Sequence, residues 1–337
     1  MGVTIREIAA ATGVSITAVS QILNGKGERF SLATRERVLK TAKEQNYKPN
    51  FFAKNMVITR TNTIGMIVPE VTDPFFSQMI KGAEDFLNQN DYMIILCNSS
   101  NERQREFQYV EELLHRAVDG VIIATPHLID EKTLSAIRVK KRPYILLDHQ
   151  LNPRQEGRIT IDDVQGGYIA TRHLIENGHR KIGIITSDTT FYNVSGRLEG
   201  YFEALAEAGI PVQEKYIERA NQTTQGGYEA AERLLKEDVT AIFATNDLMA
   251  FGTYRAAWGE KIRIPEDLSV IGFDDIEMSA FTTPPLTTVR QPVYQIGATA
   301  AELLLRKVEA PTEKVGNQHF EIELIERGSV ARVNQPV

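Results

Sequence analysis

The spacing of hydrophobic residues changes near residue 61. Before that point, apolar residues recur at the three- and four-residue spacing of amphipathic helices, between Thr4 and Gly13, between Ser15 and Gly25, and from Ser31 to about Gln45. Beyond it, short apolar runs such as "NTIGMIVPE" and "DYMIILCNSS" alternate with amphipathic stretches such as "PFFSQMIKGAEDFLNQN". The pattern predicts a small all-α head followed by an α/β body.

Local signals in the head fit three short helices. Thr4 and Glu7 have the spacing of a capping box, Gly13 can take the left-handed conformation that ends a helix, and Ser15 can cap the next helix. The third helix is predicted to bury Val38, Leu39 and Ala42. This arrangement predicts a helix-turn-helix module, in which the second helix enters the major groove of DNA.

The outward face of the second helix carries the candidate DNA contacts. Short polar side chains suit base edges, and a helix N-terminus suits a phosphate. Five residues are predicted on this face: Ile16, Thr17, Ser20, Gln21 and Asn24. The alternative is a plain three-helix bundle whose polar residues face water.

Charge separates the head from the body. Residues 1–60 carry a net charge of +6, whereas the remaining residues carry −12. A basic head on an acidic body indicates that only the head meets a polyanion such as double-stranded DNA.

The body reads as two series of alternating strands and helices, which predicts two lobes with doubly wound parallel sheets. Polar residues follow its strands: Asp73, Asp148, Asn246 and Asp274. Since the carboxyl ends of parallel strands border a ligand cleft, these residues and the rings of Phe75 and Phe76 predict a sugar site. The alternative for each polar residue alone is a helix N-cap, and this interpretation is favoured for Asp247 and Asp275.

Composition and the absence of known motifs argue against a membrane protein, a secreted protein and an enzyme. No apolar run is long enough to span a bilayer, no secretory signal is recognised, and the single cysteine, Cys97, lies in a run interpreted as a buried strand. We therefore expect a cytoplasmic protein that does not act at a membrane. The protease, hydrolase and P-loop motifs are absent and the histidines are scattered, so no enzyme activity, catalytic residue, metal or cofactor is predicted. The adjacent pair Asp162 and Asp163 is interpreted as lying in a strand, where neighbouring side chains diverge.

The head resembles the lactose-repressor (LacI/GalR) family of bacterial transcription regulators. The resemblance rests on "VTIREIAAATGVSITAVSQILNGKG" followed by "TRERVLKTAKEQNYKPNFFAKNM". It implies further DNA contacts in the helix-turn-helix and in a hinge helix that forms on DNA: Thr4, Ser15, Asn50, Ala53, Lys54 and Met56. Gln21 stands where the family most often has Arg. Met56 replaces a leucine that wedges into the minor groove, a role a flexible apolar side chain can keep.

The body resembles the effector domain of the same family, which is similar to periplasmic sugar-binding proteins. The signatures "ATNDLMAFG", "VIGFDD" and "TPPLTTVRQP" carry this resemblance, and ribose-operon repressors are the most similar subgroup. It implies these effector contacts: Asp73, Phe75, Phe76, Asp148, Arg197, Gln222, Asn246, Asp274 and Gln291. Two positions depart from ribose-binding relatives, since His149 replaces an arginine and Gln222 occupies the place of a stacking aromatic residue.

These observations predict a sequence-specific, DNA-binding repressor controlled by a small sugar such as ribose. The expected domains are a head (1–48), a hinge helix and linker (49–60) and an effector-binding and dimerisation domain (61–337). Lobe 1 is expected over about 61–160 and 291–320, and lobe 2 over about 161–290 and 321–332. The family resemblance implies that the lobes pair into a homodimer, and a dimer rather than a tetramer is expected because the leucine-heptad tail of tetrameric relatives is not seen. Three alternatives stay open: a sugar-binding protein without a DNA role, another effector such as a different sugar, a sugar phosphate or a purine, and either sign of regulation.

Overall fold

A computed structural model describes residues 3–23, 25–47, 60–125, 131–147, 157–189 and 192–333. The chain divides into two compact units, Met1–Thr61 and Asn62–Val337. We call the first unit the head and the second the body.

The head consists of three helices, α1 (Ile5–Thr12), α2 (Ile16–Leu23) and α3 (Leu32–Glu44). The predicted capping box is present at Thr4 and Glu7, and Gly13 ends α1 with a φ of +66°. The core of the head buries Ile8, Ala9, Val19, Ile22, Val38 and Ala42. The prediction that Leu39 is buried is wrong, because its side chain is 51% exposed, one position along the helix from the buried face.

The body alternates strands and helices throughout. Its strands are β1 (Thr63–Val68), β2 (Met93–Asn98), β3 (Gly120–Ala124), β4 (Tyr144–Leu147), β5 (Ile159–Thr160), β6 (Ile182–Ser187), β7 (Ile217–Ala220), β8 (Ala241–Ala244), β9 (Ser269–Asp274), β10 (Thr287–Arg290), β11 (Gln318–His319) and β12 (Glu323–Ile325). Its helices are α4 (Pro74–Gln89), α5 (Arg103–His115), α6 (Glu131–Val139), α7 (Asp163–Glu176), α8 (Tyr192–Glu207), α9 (Thr224–Leu234), α10 (Asp247–Gly259) and α11 (Val293–Glu309).

Two six-stranded sheets organise these elements into two lobes. The first sheet has the order β11-β5-β4-β3-β1-β2 and its paired strands all run parallel. The second has the order β12-β10-β9-β8-β6-β7, and β12 alone pairs antiparallel. Helices cover the sheets, as βαβ crossovers require. The predicted α/β class and two-lobed, doubly wound body are confirmed.

Strand β2 differs from its prediction as a buried strand. It is the last strand of the first sheet, and Met93 and Leu96 are 71% and 41% exposed. Cys97 is half-buried in the same strand. An apolar run alone does not distinguish a central strand from an edge strand, because both carry β-forming residues.

Among the described residues, no helix is long and apolar enough to cross a membrane.

Candidate functional site

The second helix of the head presents the predicted contact face. Ser15 caps α2 by accepting a hydrogen bond from the Ala18 backbone N–H (3.2 Å). Ser15, Ile16 and Thr17 are exposed in the first turn, while Ser20 and Gln21 are half-buried on later turns. Ala18, Val19 and Ile22 face the core of the head. The N-terminal turn of α2 thus offers exposed polar groups and a helix dipole, as a helix that reads DNA requires.

The remaining predicted DNA contacts lie outside α2. Thr4 lies at the start of α1, where its side chain and that of Glu7 bond each other's backbone N–H groups. The other residues predicted to contact DNA lie outside the described residues: Asn24, Asn50, Ala53, Lys54 and Met56.

In the body, a cavity of about 520 Å³ lies at the carboxyl ends of strands from both sheets. Seven of the predicted effector residues line it: Asp73, Phe75, Phe76, Arg197, Gln222, Asn246 and Asp274. They follow strands β1, β7 and β8, end strand β9, or lie on helices α4 and α8. The volume is in the range of small-molecule sites, and the position between two doubly wound lobes is one where such folds bind ligands.

Arg197 lines the cavity and is held in place by residues of the second lobe. Only 3% of its surface is exposed, and its guanidinium lies 3.7 Å from the centre of the Phe273 ring. Its Nε donates to Asp163 Oδ1 (3.0 Å) and its Nη1 donates to the Thr245 carbonyl (2.7 Å). The same Nη1 lies 3.6 Å from Asp274 Oδ1. A guanidinium held by a carboxylate, a carbonyl and a ring has a defined direction toward the cavity.

Asp274 ends strand β9 in a strained backbone conformation. Its φ is +110° and that of Asp275 is +56°, in the region that non-glycine residues rarely adopt. Gln291, which follows β10, donates its Nε2 to Asp274 Oδ1 (2.7 Å). Burial raises the pKa of Asp274 well above its usual range, against the opposing effect of Arg197. The carboxyl group is therefore held at the cavity by both its backbone and its hydrogen bonds.

Two lining residues also cap helices. Asp73 accepts a hydrogen bond from the Phe75 N–H (2.9 Å) at the start of α4, and Asn246 accepts one from the Met249 N–H (2.8 Å) at the start of α10. Each of these side chains therefore caps a helix and also lines the cavity. Burial raises the pKa of the Asp73 carboxyl.

The aromatic part of the cavity wall comes from one helix. Phe75 and Phe76 of α4 contact each other edge to face, with ring centroids 5.1 Å apart. Gln222 occupies the place where ribose-binding relatives are expected to have a stacking aromatic residue. It follows β7, and its backbone carbonyl accepts a hydrogen bond from Asn246 Nδ2 (3.3 Å). Asp148 and His149 lie outside the described residues.

Among the charged residues that line the described part of the cavity, acidic residues outnumber basic ones. Glu70 and Asp188 line the cavity together with Asp73 and Asp274, whereas Arg197 is the one basic residue among its described lining. The described residues contain no group of three or more side chains that could hold a metal ion.

The adjacent carboxylates Asp162 and Asp163 have different roles, and only Asp163 contacts a residue of the cavity wall. Asp162 and Asp163 lie at the start of α7 and not in a strand: Asp162 caps the helix, and the buried Asp163 holds Arg197. The prediction of a strand is wrong because the strand before them, β5, ends at Thr160. The pairing of Asp163 with Arg197 could not be predicted from local spacing, because the two residues are 34 positions apart in the sequence.

Asp247 and Asp275 are not the helix caps expected of them. Asp247 is fully buried and accepts hydrogen bonds from three donors across the lobe: the Ile276 N–H (2.9 Å), the Ser279 hydroxyl (2.7 Å) and the Thr288 hydroxyl (2.6 Å). Asp275 forms ion pairs with Arg290 and Arg327. Asn246 takes the cap position instead, so Asp247 is available to hold the segment that follows Asp274.

Comparison with known proteins agrees with this arrangement. Residues 4–50 match the family of bacterial regulatory proteins of the lacI type. Residues 61–327 match periplasmic binding proteins and the sugar-binding domain of the LacI family.

Individual relatives match over most of the chain. An HTH-type transcriptional repressor PurR from Vibrio atlanticus (strain LGP32) is 35% identical over 98% of this chain and 99% of that protein. A LacI family regulator from Enterococcus faecium with bound ribose is 35% identical, covering 81% of this chain and all of that one, with a TM-score of 0.76. The lac repressor dimer bound to operator and the anti-inducer ONPF is 26% identical over 98% of this chain and all of that one, with a TM-score of 0.86.

A helix-turn-helix head joined to a two-lobed ligand-binding body defines a DNA-binding transcriptional regulator, and not an enzyme, in agreement with the repressors that it matches. The chain belongs to the LacI family of bacterial regulatory proteins, as the family resemblance predicted.

Proposed function

We propose that this LacI family repressor binds a pseudo-palindromic operator as a homodimer and is controlled by an uncharged pentose, with ribose the first candidate. The domain roles follow the sequence: residues 1–48 read DNA, 49–60 form the hinge, and 61–337 bind the effector and dimerise. A role on DNA also means a cytoplasmic location in a bacterial cell.

The observation that carries the effector proposal is the composition of the 520 Å³ cavity. Asp73, Asn246 and Asp274 place hydrogen-bond acceptors around it, and Phe75 and Phe76 place an apolar wall on one side. Sugar hydroxyls donate to carboxylates and amide oxygens, and the C–H face of a sugar ring packs on an aromatic ring. The ribose bound by the Enterococcus faecium regulator supports the same ligand class here.

The described wall fits a sugar better than the alternatives. A purine offers two flat faces for stacking, but the aromatic residues among the described lining come from α4 alone. A sugar phosphate would bring negative charge beside Glu70, Asp73, Asp188 and Asp274, with only Arg197 among the described lining to balance it. Because the charge of Arg197 is already paired with Asp163 and lies 3.6 Å from Asp274, it offers a phosphate little unbalanced positive charge.

Exposed apolar residues of the body support self-association. Met93 and Leu96 on the edge strand β2 are exposed, and in the second lobe Trp258 and Phe281 are each 72% exposed. Large apolar side chains in such numbers are typical of surfaces that meet a partner. The dimeric lac repressor, which this chain matches over 98% of its length, supports a second copy as that partner.

Titration calorimetry with ribose, other pentoses, ribose 5-phosphate and hypoxanthine tests the effector. We expect heat with a free pentose and none with the phosphate or the purine. Asp274→Asn should raise the sugar dissociation constant about tenfold or more, since it weakens an acceptor for hydroxyl groups. The matched control is Asp267→Asn, which changes an exposed residue paired with Arg263 and should bind the sugar like the unmodified chain. Binding of hypoxanthine alone would replace the sugar with a purine and leave the repressor assignment in place.

A further inference from the structure

Residues 25–27, which follow the recognition helix α2, contact the last turn of that helix. The Gly25 N–H donates to the Ile22 carbonyl (3.2 Å), and the Lys26 N–H donates to the Gln21 carbonyl (2.8 Å). Gly27 is packed so closely that an added Cβ would lie 3.2 Å from Ile22. Residues 25–27 are therefore held against the last turn of α2, on the side that carries Gln21.

Arg29, which follows these residues, contacts the side chain of Gln21. Arg29 Nη2 donates a hydrogen bond to Gln21 Oε1. The guanidinium also lies 5.0 Å from the centre of the Phe30 ring, a cation–π contact that helps to hold it beside Gln21. Arg29 is exposed, so its other N–H groups face solvent beside the recognition helix.

The contact changes what Gln21 offers to a base. A glutamine reads adenine by donating to N7 and accepting from the N6 amino group, which needs Oε1 to face a donor. Here Oε1 faces a guanidinium, and a positive charge at that point repels a second donor such as the adenine amino group. The Nε2 amide and the remaining guanidinium groups are all donors. Together they match guanine, which presents two acceptors, N7 and O6, in the major groove.

We propose that Gln21 and Arg29 read one base pair of each operator half-site as a unit, and that Arg29 makes guanine the preferred base. Arg29 is thus a specificity-determining residue outside the recognition helix. The inference rests on the proposed operator binding. The competing role for Arg29 is a phosphate contact, which would strengthen binding to every sequence equally.

The experiment uses the full-length chain and selection from random palindromic duplexes. Gln21→Ala identifies the base position, which is the one where its selected sites lose preference relative to the unmodified chain. Dissociation constants are then measured on four duplexes that differ only there. The unmodified chain should prefer guanine over adenine by about tenfold.

Arg29→Met is the decisive variant, because it keeps an apolar stem beside Phe30 and removes the donors. It releases Gln21 Oε1, so the preference at the same position should shift from guanine toward adenine. The matched control is Lys26→Met, which removes one positive charge from the same exposed loop. The control should weaken binding to all four duplexes alike, with a salt dependence lower by about one counterion.

Three results would overturn the inference. An Arg29→Met variant that weakens all four duplexes alike would make Arg29 a phosphate contact. An unmodified chain that prefers adenine at the mapped position would mean that Gln21 reads the base without Arg29. A chain that selects no sequence, whether alone or with ribose or hypoxanthine, would overturn both the inference and the operator proposal, whereas the first two results leave the operator proposal intact.

Discussion

At the scale of single residues, buried polar side chains account for the features that the sequence did not predict. His179 has no functional signal in the sequence, yet it is buried with its ring nitrogens 2.9 Å from the hydroxyls of Thr240 and Ser269. Asp163 and Asp247 are likewise buried and bonded to partners more than 25 residues away. Local spacing predicts caps and faces, but these contacts depend on which strands become neighbours, so one sequence alone does not specify them.

The titration of Asp247 gives a prediction at this scale. Burial raises its pKa to about 7, although three donors bond it. An unfolded aspartate has a pKa of about 3.9, so between these values the folded chain binds a proton that the unfolded chain has released. Stability contributed by this group is therefore present below pH 4 and falls as the pH rises toward 7, by up to about 4 kcal/mol. Asp247→Asn removes this titration.

Urea unfolding of both chains at pH 5, 6, 7 and 8 measures the effect. The free energy of unfolding of the Asn variant, relative to the unmodified chain, should rise with pH up to about 7 and then level off. Asp267→Asn is the control, because Arg263 lowers the pKa of Asp267 to about 2, outside this range. A difference for Asp247→Asn that stays flat with pH would show that the carboxyl group titrates normally.

At the scale of elements, the sequence predicts the order of strands and helices well. It predicts less well which strands are exposed and which helices contact each other. The alternation of apolar runs and amphipathic stretches predicted both lobes, because each βαβ unit repeats the same hydrophobic pattern. It did not predict that β2 is an edge strand, since exposure depends on whether another strand pairs beside it. The helix contacts are also hidden: Gly82 on α4 and Gly297 on α11 lie where two backbones meet, which no spacing within either helix indicates.

These two glycines allow a test of the helix packing. A Cβ added at Gly297 would lie 2.0 Å from the Met79 carbonyl oxygen, and one at Gly82 would lie 2.0 Å from the Tyr294 carbonyl oxygen. Since backbone atoms must move to admit it, Gly297→Ala should lower the free energy of unfolding by about 1–3 kcal/mol or more. Gly259→Ala is the control, because no atom lies within 4 Å of its added Cβ.

Chemical denaturation followed by circular dichroism measures both variants. Gly259→Ala should be neutral or slightly stabilising, as alanine is the better helix former. If Gly297→Ala unfolds at the same denaturant concentration as the unmodified chain, α4 and α11 do not pack as closely as described.

At the scale of the whole molecule, function requires that the effector cavity and the DNA-binding head influence each other. A ligand changes DNA affinity only if it binds one arrangement of the lobes more tightly than another. Because such coupling is a free energy shared by two sites, it acts equally in both directions. The sign of regulation is open, but the reciprocity is independent of sign.

The last prediction concerns this reciprocity. The fold-change that the pentose causes in the operator dissociation constant should equal the fold-change that the operator causes in the pentose dissociation constant, within a range of about 5 to 150-fold. In the absence of sugar, Asp274→Asn should bind operator as the unmodified chain does, and it should lose the response to sugar at concentrations that saturate the unmodified chain. Fluorescence anisotropy with labelled operator and calorimetry with the sugar measure the two constants, and a random duplex serves as the control. A sugar that binds the body with unchanged affinity in the presence and absence of operator would contradict the coupling, because no differential binding would then connect the 520 Å³ cavity to the head.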